Sequence, residues 1–358
     1  MNELGRFLVD YENPDAGIGH SLGHVNNAIK ICLRHDLQFA YSESQVLKSS
    51  KDQWGWRLRQ WIRRLTLRQV YETHDIGNDI NTLFAFAQHT KDRDWVEHLL
   101  QKGQLKLVLL PETKISIPSN AQDDEAAYEA VDAVIHAHPE DGVVFRLPDK
   151  RTGDFEYQSS LSWFRRCYEA SGSNKFPEQY APAQSDALKV AIHIRRGDLL
   201  PGRQFDDLAK RMLPDAWYQC ILSQILDRCG EKHIVVYVVS EGLDGHYCSE
   251  KGLVVDWNDL LPKNRCTVVE LIDKPFVPSF RVLVSADILI GSKSGMTHLA
   301  GMLGGHIKFV PRMWHSYRGA SSVLELDEEI DAQTMTEVAR LTDTACRLHS
   351  LHHANRSS

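Results

Sequence analysis

Apolar and polar positions along the second half of this chain follow the pattern of a parallel α/β domain. Short, near-continuous apolar runs predict strands, and residues with helical spacing follow most of them after a turn. Such strands are buried on both faces, which indicates a parallel sheet between two layers of helices. The predicted strands are 190–194, 234–239, 267–272, 288–290 and 307–310, and the predicted helices are 216–227, 279–285 and 297–303.

The first half has a less regular pattern of the same kind. Glycine, serine and proline cluster over residues 171–186, which is typical of a linker. We therefore predict an N-terminal domain over 1–183 and a C-terminal domain over 184–358, the latter with a C-terminal helix at 324–346 near the interdomain region. The other predicted elements are a glycine-rich turn at 17–23, helices at 25–33, 54–70 and 157–170, and strands at 39–41, 106–110 and 143–147.

Composition limits the classes of protein to which the chain could belong. Its 358 residues suffice for two domains, and 42% apolar with 25% charged residues is typical of a globular protein. The net charge of −7 argues against a nucleic-acid partner. The absence of a long apolar run and of a secretory N-terminus, together with seven cysteines and no C-x-x-C pair, predicts a cytoplasmic protein with free thiols.

Polar residues follow three predicted strands, at positions 193–198, 240–241 and 292–297. The carboxyl ends of parallel strands meet at the ligand crevice, so we expect these residues to lie together. Two guanidinium groups, Arg195 and Arg196, can neutralise a diphosphate with forked hydrogen bonds. The alternative is a buried strand end held by a structural ion pair.

The segment His193-Ile-Arg-Arg-Gly-Asp198 resembles the hallmark of the α1,2-, α1,6- and protein O-fucosyltransferase superfamily. This resemblance implies an α/β GT-B fold, with two Rossmann-like domains that face each other across a cleft. It also implies an inverting enzyme that transfers fucose from GDP-fucose without a metal. By the resemblance, Arg195 binds the β-phosphate and His193 is the second catalytic residue. Further candidates for binding the donor are Arg196, Asp198 and Ser240.

Gly17-Ile-Gly-His-Ser-Leu22 is similar to the N-terminal Gly-x-Gly-Asn loop of that family, which closes over the donor. The resemblance makes Gly17, Gly19 and His20 donor-binding candidates, although His20 stands where the family has asparagine. A helix follows this segment, and backbone N–H groups at a helix start favour a phosphate.

Residues 286–300 are similar to a third segment of the family, whose hydroxyl groups bind the donor phosphate at a helix start. Ser294 and Thr297 match those hydroxyl positions, and Gly295 replaces a second serine. The alternative is an ordinary strand–turn–helix in which Ser294 caps the helix.

Two departures leave the donor open. The aspartate that reads guanine in the family is replaced here by Pro278, and Asp273 is the nearest acid upstream. Residues 294–300, Ser-Gly-Met-Thr-His-Leu-Ala, also resemble the signature of heptosyltransferases, another inverting GT-B family. The alternatives are therefore a transferase for another nucleotide sugar, a non-catalytic sugar-nucleotide or glycan binding protein, and a regulatory domain without a donor.

Inverting transfer requires a base near the acceptor hydroxyl and stabilisation of the leaving diphosphate. Candidate bases are Asp15, His20, Asp206 and Asp207. No D-x-D motif in an apolar setting is present, so we expect no metal and no cofactor besides the donor. The basic amphipathic stretch 57–70 fits either a solvated helix face or a peripheral membrane contact with a lipid-linked saccharide acceptor.

Overall fold

The computed structural model describes residues 4–10, 18–42, 76–115, 121–148, 153–184, 186–199, 210–242, 245–262, 264–313 and 315–354. The chain divides into two compact units, and the division at Ser173–Asn174 falls within the predicted linker. Unit 1 comprises Met1–Leu67, Thr73–Ser173 and Trp314–Gly319, and unit 2 comprises Arg68–Glu72, Asn174–Met313 and Ala320–Ser358.

Unit 1 is a parallel sheet with helices between its strands. The strand order is β3-β2-β1-β5-β4, and every pairing is parallel. Its described elements are β1 (Phe7–Val9), α1 (Ile18–His35), β2 (Gln38–Tyr41), α2 (Ile76–Leu83), β3 (Lys91–Asp92), α3 (Arg93–Gln101), β4 (Lys106–Leu109), α4 (Ala121–His136), β5 (Val143–Arg146) and α5 (Leu161–Ala170).

Helix α1 corrects the prediction of a glycine-rich turn over residues 17–23. The helix already begins at Ile18 and therefore includes Gly19 and Gly23. Gly23 is tolerated within it because Phe155 packs against its backbone: a Cβ atom there would lie 2.8 Å from Cε1 of Phe155. The glycine marks a close approach between two segments rather than a bend.

Unit 2 has the strand order β11-β10-β9-β6-β7-β8, and every pairing is parallel. Read from β8, this is the order 3-2-1-4-5-6 of the Rossmann fold. Its described elements are β6 (Leu188–Ile194), α6 (Asp215–Arg228), β7 (Ile234–Ser240), α7 (Trp257–Leu260), β8 (Cys266–Ile272), α8 (Phe276–Ser285), β9 (Ile288–Ile290), α9 (Gly295–Leu303), β10 (Ile307–Pro311), β11 (Val323–Leu326) and α10 (Ala332–Ala354).

The α/β prediction with two Rossmann-like domains is confirmed by these two parallel sheets. All seven residues of β7 are buried, as expected of a strand covered on both faces. The C-terminal helix begins at Ala332, later than predicted, because residues Val323–Leu326 form the edge strand β11. Helix α10 contributes Val338 and Ala345 to the core of unit 2.

None of the helices in the described part of the chain combines the length and the apolar character that a membrane span requires.

Candidate functional site

The candidate site of unit 2 lies where β6 and β9 are neighbours. At this position the strand order reverses, and open α/β sheets bind ligands at the carboxyl ends of the strands at such a switch point. Ile192 on β6 is in register with Ile290 at the end of β9. The loop that starts at Arg195 and the loop over residues 291–294 therefore emerge side by side.

A buried cluster of three polar side chains joins these two loops. Nδ1 of His193 lies 2.6 Å from Oγ1 of Thr297 and 3.1 Å from Oγ of Ser292. Thr297 Oγ1 also accepts a hydrogen bond of 3.1 Å from the backbone N–H of Ser292. The imidazole thus fixes the loop after β9 against the end of β6.

Burial lowers the pKa of His193 to about 3, and the positive charge of Arg195 contributes to the same shift. The imidazole is consequently neutral at physiological pH. The ring of His193 orients the hydroxyl groups of Thr297 and Ser292.

Arg195 lies just beyond the end of β6 and is half-buried. Its Nη1 atom is 3.5 Å from the carbonyl oxygen of Lys293, at the long end of hydrogen-bonding distance. The side chain therefore reaches from one loop of the switch point to the other. A guanidinium in this position carries a full positive charge at the edge where the sheet binds ligands.

Arg196, the second arginine of the motif, is fully buried. It forms an ion pair with Asp215, which also accepts a hydrogen bond from the hydroxyl of Tyr247. Its Nε donates to the carbonyl oxygen of Cys248 at 3.2 Å. The second arginine therefore forms the kind of structural ion pair that the sequence left open as an alternative.

The N-terminus of α9 is the second feature of the site. Ser294 caps it by accepting a hydrogen bond of 3.2 Å from the N–H of Met296. Gly295 and Met296 are partly exposed, whereas Thr297 is fully buried. The first turn of a helix presents backbone N–H groups and the positive end of the dipole, so this helix start is suited to an anion.

Two glycines allow the loops to approach so closely. A Cβ atom on Gly291 would lie 2.2 Å from Cγ2 of Thr297, and one on Gly197 would lie 1.5 Å from Oε2 of Glu241. Gly197 also has a φ of +28°, in the region that favours glycine.

Two polar side chains at the ends of β7 and β8 form hydrogen bonds with backbone groups of unit 2. The hydroxyl of Ser240 lies 2.7 Å from the carbonyl oxygen of Ile194, which joins the ends of β7 and β6. The carboxylate of Asp273 accepts hydrogen bonds from the N–H groups of Gly242 and Gly245, at 2.9 Å and 3.3 Å. The nearest acid to the missing guanine-reading aspartate therefore stabilises a turn.

Lys293 is a feature of the site that the sequence analysis missed. It is 8% exposed, its ammonium forms an ion pair with Glu328, and it donates to the carbonyl oxygen of Lys210 at 3.2 Å. The sequence Ser292-Lys293-Ser294, just after a predicted strand, could have indicated that this lysine belongs to the site.

The start of unit 1 holds a second buried polar cluster that sequence analysis also missed. Nζ of Lys30 on α1 lies 2.6 Å from Oδ2 of Asp154, and the hydroxyl of Tyr128 donates to the same oxygen at 2.8 Å. Nδ2 of Asn26 donates to the carbonyl oxygens of Asp154 and Glu156, at 2.9 Å and 2.8 Å. These contacts tie α1 to the segment that follows β5.

Several predicted site residues lie outside the described part of the structure. They are Gly17, Asp15, Asp206 and Asp207, the side chains of His20 and Asp198, and the basic stretch 57–70. Gly19 lies in the first turn of α1.

Within the described residues, no group of three or more His, Cys, Asp or Glu side chains is arranged to hold a metal ion.

No family model matches the sequence, and no curated protein matches it. Among solved structures, the chain is similar to POFUT1 in complex with GDP, with 11% identity, a TM-score of 0.44, and coverage of 86% of this chain and 96% of that chain. It is also similar to the E. coli ADP-heptose lps heptosyltransferase II, with 10% identity, a TM-score of 0.41, and coverage of 96% and 99%.

Proposed function

We propose that this chain is an inverting glycosyltransferase whose donor diphosphate binds at the switch point of unit 2. The observation that carries the proposal is the pairing of two positive features at adjacent strand ends. Arg195 follows β6, and the partly exposed N-terminus of α9 follows β9. A guanidinium and a helix start together match the charge and the hydrogen-bond acceptors of a diphosphate.

In the proposed reaction, the acceptor hydroxyl oxygen attacks the anomeric carbon as the bond from that carbon to the β-phosphate oxygen breaks. The nucleoside diphosphate leaves, and the hydroxyl proton passes to a base among Asp15, His20, Asp206 and Asp207. Arg195 and the N–H groups of α9 stabilise the charge that develops on the leaving phosphate. His193 keeps Thr297 and Ser292 in place for this task. We expect no metal to be required.

The donor that we propose is GDP-fucose, and the acceptor is a glycan. The support is the His-x-Arg-Arg-Gly-Asp sequence at 193–198, together with the similarity of residues 286–300 to the same family. Arg196 enters this proposal as a structural residue, because its guanidinium is fully buried against Asp215.

A second candidate is a heptosyltransferase that uses an ADP-linked sugar. One specific observation favours it: the carboxylate of Asp273 is bound by the N–H groups of Gly242 and Gly245 rather than being available to a guanine edge. The sequence of residues 294–300 agrees with this candidate as well.

Thermal unfolding with GDP, UDP and ADP distinguishes these candidates. A ligand that binds only the folded chain stabilises it by about 2.7 kcal/mol at a hundred times its Kd. We expect GDP to raise the Tm most. A larger rise with ADP would transfer the assignment to the heptosyl candidate, and no rise with any nucleotide would refute the transferase proposal.

Slow hydrolysis of the donor separates an enzyme from a binding protein. We expect GDP-fucose to release GDP without an added acceptor, and EDTA to leave that rate unchanged. Binding of GDP without any release of sugar would support the non-catalytic alternative, and a strict requirement for Mn²⁺ would contradict the metal-free mechanism.

A further inference from the structure

Two cysteines of unit 2 meet at the contact between α6 and α10. Cys229 directly follows α6, and Cys346 lies in the second half of α10. Their Sγ atoms are 2.8 Å apart, although 117 positions separate them in the sequence. Both are free thiols in the structure. A disulfide has an S–S length of about 2.05 Å, so only a small shift separates this pair from a covalent bond.

The two thiols differ in their access to solvent. Cys229 is 5% exposed and packs in the core of unit 2. Cys346 is partly exposed and lines an open cavity of about 660 Å³, so a small solute can reach its sulfur. The other residues that line this cavity are Lys232, Asp343, Arg347, Ser350 and Leu351.

The surroundings of Cys346 favour its thiolate. Lys232 donates hydrogen bonds of 2.7 Å to the carbonyl oxygen of Cys346 and to the hydroxyl of Ser350, which holds its ammonium beside the helix. The hydrogen bond with Cys229 lowers the pKa of Cys346 below its ordinary value, and Lys232 contributes with its charge. The same hydrogen bond and burial raise the pKa of Cys229.

We propose that Cys346 and Cys229 are a peroxide-sensitive redox pair, with Cys346 as the attacking thiol and Cys229 as the resolving thiol. The proposal is independent of the donor site, which lies at the carboxyl ends of the strands. It rests on the approach of the two sulfur atoms and on the cavity that opens onto only one of them.

The reaction has two steps, and hydrogen peroxide is its oxidant. The Cys346 thiolate attacks one peroxide oxygen, the O–O bond breaks, and Cys346 becomes a sulfenic acid while hydroxide leaves and is protonated to water. The Cys229 sulfur then attacks Sγ of Cys346. The S–S bond forms, the S–O bond breaks, and the departing hydroxide takes the Cys229 proton as water. Two thiols are oxidised by two electrons, and one peroxide is reduced to two waters.

Peptide mapping of the full chain tests the proposal. The protein is treated with hydrogen peroxide, remaining thiols are alkylated, and unreduced peptides are identified by mass. We expect one peptide pair that joins Cys229 to Cys346, lighter than the reduced pair by two hydrogen atoms. Since this bond closes a long loop, the oxidised chain should also melt at a higher temperature.

Three serine variants assign the roles. Cys229→Ser should leave Cys346 as a sulfenic acid that dimedone traps, whereas Cys346→Ser should leave Cys229 reduced. Cys220→Ser is the matched control, because Cys220 is an exposed thiol on α6, the helix that Cys229 follows, and its loss should leave the cross-link unchanged. Circular dichroism before treatment checks that each variant is folded.

Two results would overturn the proposal. One is an unmodified Cys346 in the wild-type chain at peroxide concentrations that oxidise Cys220. The other is a Cys346 that is oxidised without ever becoming linked to Cys229. Both can be observed in the wild-type protein, so the outcome does not depend on the folding of a variant.

Discussion

Two buried polar clusters, one in each unit, differ in character. The cluster of unit 1 is ionic, with Lys30 paired to Asp154 inside the domain. The cluster that His193 forms in unit 2 with Thr297 and a serine hydroxyl is neutral, and the cation beside it, Arg195, lies just beyond the end of β6. A buried ion pair uses its charge to hold chain segments together, whereas the neutral cluster around His193 fixes the loop after β9 without a charge of its own. The Lys30–Asp154 pair therefore holds α1 in place, whereas the His193 cluster holds a loop of the candidate site.

Breaking the ionic cluster should produce the largest effect. Lys30→Met leaves the buried carboxylate of Asp154 without its ammonium partner, which should lower the free energy of unfolding by about 3–5 kcal/mol. The matched control is Lys106→Met, which removes an ion pair with Glu140 between two exposed side chains and should change stability little. Urea unfolding measures both variants. Equal losses would mean that burial does not distinguish the two pairs.

Removing the cation of the second cluster should affect catalysis instead. Arg195→Ala should reduce transfer by about 10²–10³-fold, a typical loss for one group that stabilises a transition-state charge. The Tm should change little, because the guanidinium is only half-buried. Arg340→Ala, an exposed arginine on α10, should retain full transfer. Full activity of the Arg195 variant in the donor assay would remove the central residue of the proposed site.

The approach of the two loops can be tested without changing any charge. Gly291→Ala places a methyl group 2.2 Å from Cγ2 of Thr297 and 3.1 Å from Cγ1 of Val310. We expect a loss of about 1–3 kcal/mol of stability together with weaker nucleotide binding. In Gly305→Ala the new methyl group meets nothing within 4 Å, so stability and affinity should be preserved. Calorimetric titration with GDP would show whether the affinity follows the packing.

The last expected effect is confined to acidic pH. The pKa of His193 falls from 6.5 to about 3 on folding, so the unfolded chain binds more protons between these values. Stability contributed by the neutral imidazole is therefore present above pH 6.5 and is lost as the pH falls towards 3. His193→Gln should flatten this decline by on the order of 1 kcal/mol per pH unit. Urea unfolding of the variant and of the parent chain across this pH range measures the change.

Much of unit 2 could be predicted because its strands are unbroken apolar runs. The predicted strand at 234–239 corresponds to β7, which is buried along its whole length. Short elements gave weaker signals: β1, Phe7–Val9, has three residues, and β11 could not be separated from the helix that follows. Gly23 was misleading because its small size serves the contact with Phe155, which comes from a distant part of the chain.

The site was predictable to the extent that its chemistry is local. The sequence placed His193, Arg195 and Ser294 at strand ends. It could not separate the two arginines, because Asp215, the partner of Arg196, belongs to another element and no sequence spacing identifies it. The link between Lys30 and Asp154, which are 124 positions apart, is likewise a property of the folded chain.

The chain enters unit 1 again at Trp314–Gly319 before it returns to unit 2. The rings of His315 and Phe155 are in tilted contact with centroids 4.5 Å apart, and a Cβ atom on Gly319 would lie 3.3 Å from Cα of Gln158. A fragment that ends at Ser173 would thus lack a piece of its own packing, and a fragment that begins at Asn174 would carry that piece with nothing to pack it against. Neither unit is one uninterrupted segment of the chain, so we expect the two units to require expression as a single polypeptide.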